Sequence, residues 1–138
     1  MEINWKKGFL SMSELKILIV EDEGIISLEI TQILESQGYQ PYAVFSNEDA
    51  IEKAQKIRPD LVLMDIKLNG EDGGIKTAIE INEIMDVPIV YLTGCADKAT
   101  LNAIKATEPY DYILKPFDGE ELMNTIEMAL NKHKLVEL

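Results

Sequence analysis

The sequence predicts an α/β three-layer sandwich around a five-stranded parallel sheet, on three observations. Five short apolar runs alternate with longer stretches of helical period, the mark of successive βα repeats. The runs at 15–20, 61–64 and 88–92 read as near-continuous Val, Ile and Leu, as strands buried on both faces do. No repeat, low-complexity segment or linker divides the 138 residues, a length that suits one domain with a substantial core.

The first strand is expected at 15–20. The helix after it gathers Ile26, Ile30, Ile33, Leu34 and Gln37 on one face and stops at Gly38, suited to a left-handed C-terminal position. A second strand is expected at 42–45. Ser46-Asn47-Glu48-Asp49 predicts a capped helix start, with the Ser46 side chain accepting backbone N–H groups. Ala50, Ile51, Ala54 and Ile57 supply that helix's buried side, and Pro59 closes it before a third strand at 61–65. A glycine-rich turn at 69–74, expected to move, leads into a helix with Ile75, Ala78 and Ile79 as apolar positions and Ile81 as a further candidate.

The fourth strand runs to Thr93. Between 96 and 107 only Leu101 and Ile104 are strong apolar anchors, so the fourth helix should be the least firmly packed. After a fifth strand at 112–114, the last helix starts near Asp118 and carries Leu122, Ile126, Ala129, Leu130 and His133 at helical spacing. Asp118, Glu120 and Glu121 favour its positive N-terminal end.

The balance of 13 Lys+Arg against 25 Asp+Glu gives a formal charge of -12. That charge repels a phosphate backbone, and no basic cluster offers a local exception, so direct nucleic-acid binding is not expected. The single cysteine, Cys95, allows no internal disulfide and no zinc spacing, which suits a reducing cytoplasm. No segment has the length and apolarity of a signal peptide or membrane span. Residues 1–13, with Met12 just ahead of the first strand, are set apart as a leader or disordered arm; the rival reading is an amphipathic arm anchored by Trp5 and Phe9.

The chemistry sits where the strands end. The first run leads into Glu21-Asp22-Glu23, the third ends at Asp65, the fourth at Thr93 and the fifth at Lys115-Pro116. Open α/β sheets bind ligands outside the carboxyl ends of their strands. A lone acidic triplet is usually a solvated turn, and a lone strand-end aspartate is often a cap. Carboxylates meeting in one crevice, however, resist ionising unless a cation offsets them, and an oxygen-only set with room for water suits Mg²⁺ better than zinc. A carboxylate beside Mg²⁺ and an ammonium is also a competent nucleophile for phosphorus.

These residues carry a resemblance. Ile-Leu-Ile-Val-Glu-Asp-Glu at 17–23, Asp-Leu-Val-Leu-Met-Asp-Ile at 60–66, Thr93 followed by Gly94, and Asp-Tyr-Ile-Leu-Lys-Pro-Phe at 111–117 resemble a response regulator receiver domain of two-component signalling. The likeness spans about 15–133, and a receiver domain is set at 14–134 with a tail at 135–138. It implies a flavodoxin-like (βα)5 fold with strand order 2-1-3-4-5; the ordering rule is illustrated by a member of this family.

The resemblance further implies that Asp65 accepts a phosphoryl group from the phosphohistidine of a sensor histidine kinase or phosphotransfer protein. Glu21, Asp22, Asp65 and the backbone carbonyl of Lys67 would hold Mg²⁺, with Glu21 acting through water. Lys115 would contact the phosphoryl group, and its bond to Pro116 would be cis. Thr93 would swing toward the phosphoryl oxygens while Tyr112 turns inward, reshaping the fourth helix, fifth strand and fifth helix; an ordinary packing role is the plain alternative for Tyr112. That face is also the surface available to a homodimer.

Four positions depart from the common pattern or tune it. Glu21 stands where aspartate is commoner, Asn69 where proline is frequent, and Lys67 and Cys95 occupy positions that set acyl-phosphate lifetime in the family. The expected role is a switch, not an enzyme in its own right, that signals through a changed surface to a downstream protein partner. Alternatives are a phosphorelay shuttle to a second histidine and a module cut from a larger kinase or regulator. A phosphatase with an aspartyl nucleophile would need a second acid where Lys67 stands. A flavodoxin-type carrier would have its flavin phosphate repelled by Glu21-Asp22-Glu23.

Overall fold

The computed structural model describes the backbone at 3–4, 10–11, 15–68, 73–94 and 97–137, and side chains at 15–68, 73–94 and 97–133. Two short strands, β1 (Ile3–Asn4) and β2 (Leu10–Ser11), pair antiparallel within the stretch expected to be a leader or arm. Trp5 and Phe9 lie outside the described residues.

The main sheet follows as β3 (Lys16–Val20), β4 (Gln40–Val44), β5 (Leu61–Asp65), β6 (Ile89–Thr93) and β7 (Asp111–Leu114). All neighbours are parallel, in the order β4-β3-β5-β6-β7, which is second-first-third-fourth-fifth of the repeat. Between them run α1 (Gly24–Ser36), α2 (Asn47–Ile57), α3 (Gly73–Ile84), α4 (Lys98–Ala106) and α5 (Gly119–Glu137).

Alternate strand residues feed two cores. Ile17, Ile19, Leu63, Val90, Leu92 and Ile113 pack under α1 and α5; Leu18, Val20, Val62, Met64, Ile89 and Tyr91 pack under α2, α3 and α4. Each fully buried Ile or Leu stabilises by about 1.5–3 kcal/mol, so the two faces together fix the strand register. The expected caps are present: Ser46 accepts from the Asp49 amide at 3.2 Å, Asp118 accepts from the Glu121 amide at 2.7 Å, and Gly38 has φ 92.

Four details differ from the sequence reading. The second strand starts at Gln40 rather than Tyr42 and releases Phe45 to solvent; β4 is an edge strand, where Pro41 has no ladder partner to lose. Gln37 is the exposed C-cap of α1, not part of its apolar face. Ile79 is exposed because α3 buries Gly74, Thr77, Ala78 and Ile81, a stripe rotated by less than a turn from the expected one. Ser27, polar, is buried on α1. As expected, α4 is thinly packed, with Ile104 its one buried residue and Leu101 half-buried.

Candidate phosphoacceptor site

The strand ends align by register. Val20 pairs with Met64, Asp65 with Leu92, and Thr93 with Leu114, so Glu21, Asp65, Thr93 and Lys115 emerge side by side at the carboxyl end of the sheet. Backbone bonds continue each ladder past the last strand residue: Glu21 N to Val44 O at 3.2 Å, Ile66 N to Leu92 O at 3.1 Å and Lys115 N to Thr93 O at 2.8 Å. The main chain therefore fixes where these residues stand, whatever contacts their side chains make.

Glu21 is fully buried and Asp65 is 2% exposed, while Asp22 stands in solvent. Lys115 Nζ bridges the buried pair, donating to Glu21 Oε1 at 2.8 Å and to Asp65 Oδ1 at 3.3 Å, with Glu23 Oε1 at 3.9 Å. The Glu23 amide donates to Glu21 Oε2 at 3.1 Å, and the Lys67 amide to Asp65 Oδ1 at 3.2 Å. Burial, then the Glu21 charge, push the Asp65 carboxyl up to about 7, against the opposing pull of Lys115. Burial alone would lower the Lys115 ammonium, but its hydrogen bond to Glu21 and the nearby carboxylates outweigh that and raise it.

One carboxylate oxygen each from Glu21, Asp22 and Asp65 lies within 4.8 Å of the others. One ammonium serves two buried acids, and the displaced Asp65 carboxyl registers the charge it leaves uncompensated. A hard divalent cation fits this all-oxygen donor set and would supply the missing charge.

All the site residues read from the sequence lie at this end of the sheet except Tyr112. Thr93 is fully buried at the end of β6, and the Lys115–Pro116 bond is cis. Lys67 lies in the turn directly after β5. Tyr112 sits within β7, half-buried against the core beneath α4. Asn69 and Cys95 lie outside the described residues.

Sequence reasoning missed Gly74. A Cβ there would overlap the Asp65 carbonyl oxygen and stand 2.8 Å from the Ile66 Cα, while the Gly74 amide donates to Ile66 O at 3.0 Å. The first turn of α3 thus seats directly on the backbone that carries Asp65. The paired glycines 73–74 were a signal for close approach as well as for a turn.

The family model of the response regulator receiver domain matches residues 17–127. The transcriptional regulatory protein PdtaR of Mycobacterium tuberculosis is 32% identical over 120 residues, which cover 86% of this chain and 58% of that protein. The chain therefore spans little more than half the length of that curated relative. Among solved structures, the N-terminal domain of a response regulator/sensory box/GGDEF 3-domain protein from Carboxydothermus hydrogenoformans is 36% identical with TM-score 0.80, covering 89% of this chain and 99% of that one. A CheY-like response regulator receiver domain protein from Methanospirillum hungatei is 25% identical with TM-score 0.83, covering 90% and 98%.

Proposed function

The chain belongs to the response regulator receiver domain family, regulatory phosphoacceptor domains rather than enzymes in their own right, and on that premise we propose that Asp65 is its phosphoacceptor in a cytoplasmic two-component pathway. The observation that carries this reading is the Lys115 ammonium shared between buried Glu21 and Asp65 at the carboxyl end of the sheet. A phosphohistidine of a sensor kinase or phosphotransfer protein is the donor.

An Asp65 carboxylate oxygen attacks phosphorus, the P–N bond breaks, the imidazole keeps the electron pair and takes up a proton, and an acyl phosphate remains. Lys115, kept charged by its carboxylate neighbours, turns from Asp65 to the phosphoryl oxygens. The Thr93 hydroxyl donates to one of them. Mg²⁺ held by Asp22, Asp65 and the Lys67 carbonyl, with Glu21 acting through water, would offset charge on both carboxylate and phosphoryl group. Tyr112 turns further inward as Thr93 moves, and the α4, β7 and α5 face changes shape for a downstream protein partner or a second copy of the chain.

Incubation with Mg²⁺ and acetyl phosphate, followed by intact mass, tests the reading. One added phosphoryl group is expected, absent in Asp65→Asn and blocked by a chelator. Labelling that survives Asp65→Asn would overturn the assignment.

A further inference from the structure

We infer that Tyr91 and Thr107 anchor α4: a hydrogen bond from a buried phenol on β6 to the threonine capping α4 ties the C-terminal end of that helix to the sheet, so the helix moves by pivoting there. The anchor stands on geometry alone; the pivot rests on the switch role proposed above.

Tyr91 is fully buried, and its hydroxyl lies 3.0 Å from Thr107 Oγ1. Thr107 Oγ1 donates to the Ile104 carbonyl at 2.8 Å, which uses its only hydrogen. Tyr91 must therefore be the donor to Thr107. Burial pushes its phenol up, which keeps that proton in place. The chain of bonds runs from the sheet through the cap to Ile104, the one buried residue of α4.

The first positions of α4 and its cap, 97–99, are all exposed; Thr100, Leu101, Ala103 and Thr107 are half-buried, 102, 105 and 106 are exposed, and Ile104 alone is buried. At the N-terminal end Asp97 accepts from the Thr100 amide at 2.7 Å. Tyr91 also stands where signals would cross: it is two residues before Thr93 on the same face of β6, and it is the register partner of Tyr112 on β7. A shift of Thr93 and Tyr112 is thus felt next to the anchor, with the exposed end of α4 the part able to yield.

The test is amide hydrogen exchange on the full chain, first without any ligand. Tyr91→Phe should speed exchange at 104–107 by about fivefold, the loss of one buried hydrogen bond, and Thr107→Val, which also loses the bond to the Ile104 carbonyl, by more, with β5 and α1 unchanged. The double variant should go no further than Thr107→Val alone. Unchanged exchange at 104–107, additive effects, or a uniform rise that includes β5 and α1 would overturn the anchor. With Mg²⁺ and beryllofluoride, the wild type should change at 98–101 while 104–107 stays protected, and in Tyr91→Phe the change should reach 107. An equal response at both ends of wild-type α4 would overturn the pivot. No response anywhere would sink the phosphoacceptor reading and the pivot together, with the ligand-free comparison still deciding the anchor.

Discussion

Lys115 donates its shorter hydrogen bond, 2.8 Å, to Glu21, and holds Asp65 at 3.3 Å. The cation beside the proposed acceptor therefore mainly compensates its neighbour Glu21. Two buried carboxylates depend on one ammonium, and the site's stability should depend on it as well.

Lys115→Met removes that charge and leaves the buried Glu21 and Asp65 facing each other. Breaking one side of a buried ion pair costs about 3 kcal/mol, because the remaining charge is left uncompensated. The loss should appear in urea unfolding at pH 8, and shrink when Mg²⁺ is added or when acid protonates Asp65. Equal loss with and without Mg²⁺ would show that the ion does not share the work of Lys115.

The pH dependence of the metal-free protein has a definite sign. Asp65 is raised in the folded state to about 7 from an ordinary 3.8, so between those values the folded protein holds a proton that the unfolded chain has lost. Its contribution to stability is fully present below pH 3.8 and is lost as pH rises through 7. Asp65→Asn cannot titrate. The difference in unfolding free energy between wild type and Asp65→Asn should therefore move in favour of the variant across that window, and a flat difference would contradict the raised carboxyl.

Gly74→Ala places a methyl group against the Asp65 carbonyl, and the first turn of α3 must retreat or β5 must bend. Overpacking of this kind costs about 1–3 kcal/mol, and the displaced Asp65 should take up phosphoryl groups more slowly from acetyl phosphate. Gly24→Ala is the control. Nothing lies within 4 Å of a Cβ there, and alanine suits a helix better by up to about 1 kcal/mol. Equal behaviour of the two variants in urea unfolding and phosphorylation rate would contradict the seating of α3 on Asp65.

Legibility in the sequence followed the range of the physics. Glu21, Asp65, Thr93 and Lys115 could be placed together because each ends an apolar run, and parallel strands in sequence-adjacent repeats bring their carboxyl ends to one end of the sheet. The thin packing of α4 was visible as a shortage of apolar residues. The start of β4 was not, since Pro41 breaks a central strand but is tolerated at an edge, and edge position is a property of the whole sheet. The exposed Ile79, the overlap at Gly74 and the Tyr91–Thr107 bond depend on how a helix rotates on the sheet. Periodicity alone does not fix that rotation to within one residue.

Thr93→Ala separates acceptance of the phosphoryl group from its consequences. The ladder bond at this position, Lys115 N to Thr93 O at 2.8 Å, uses the main chain, so the substitution leaves the strand end and the Lys115 backbone in place. Asp65 keeps its neighbours Glu21 and Lys115, and acetyl phosphate should still add one phosphoryl group. What is lost is one donor to a charged oxygen, about 1.5 kcal/mol, so beryllofluoride should bind about tenfold more weakly by calorimetry. Hydrogen exchange at 98–101 should also stop responding to it at saturation. A variant that binds as tightly as wild type and still loosens α4 would remove the Thr93 hydroxyl from the switch.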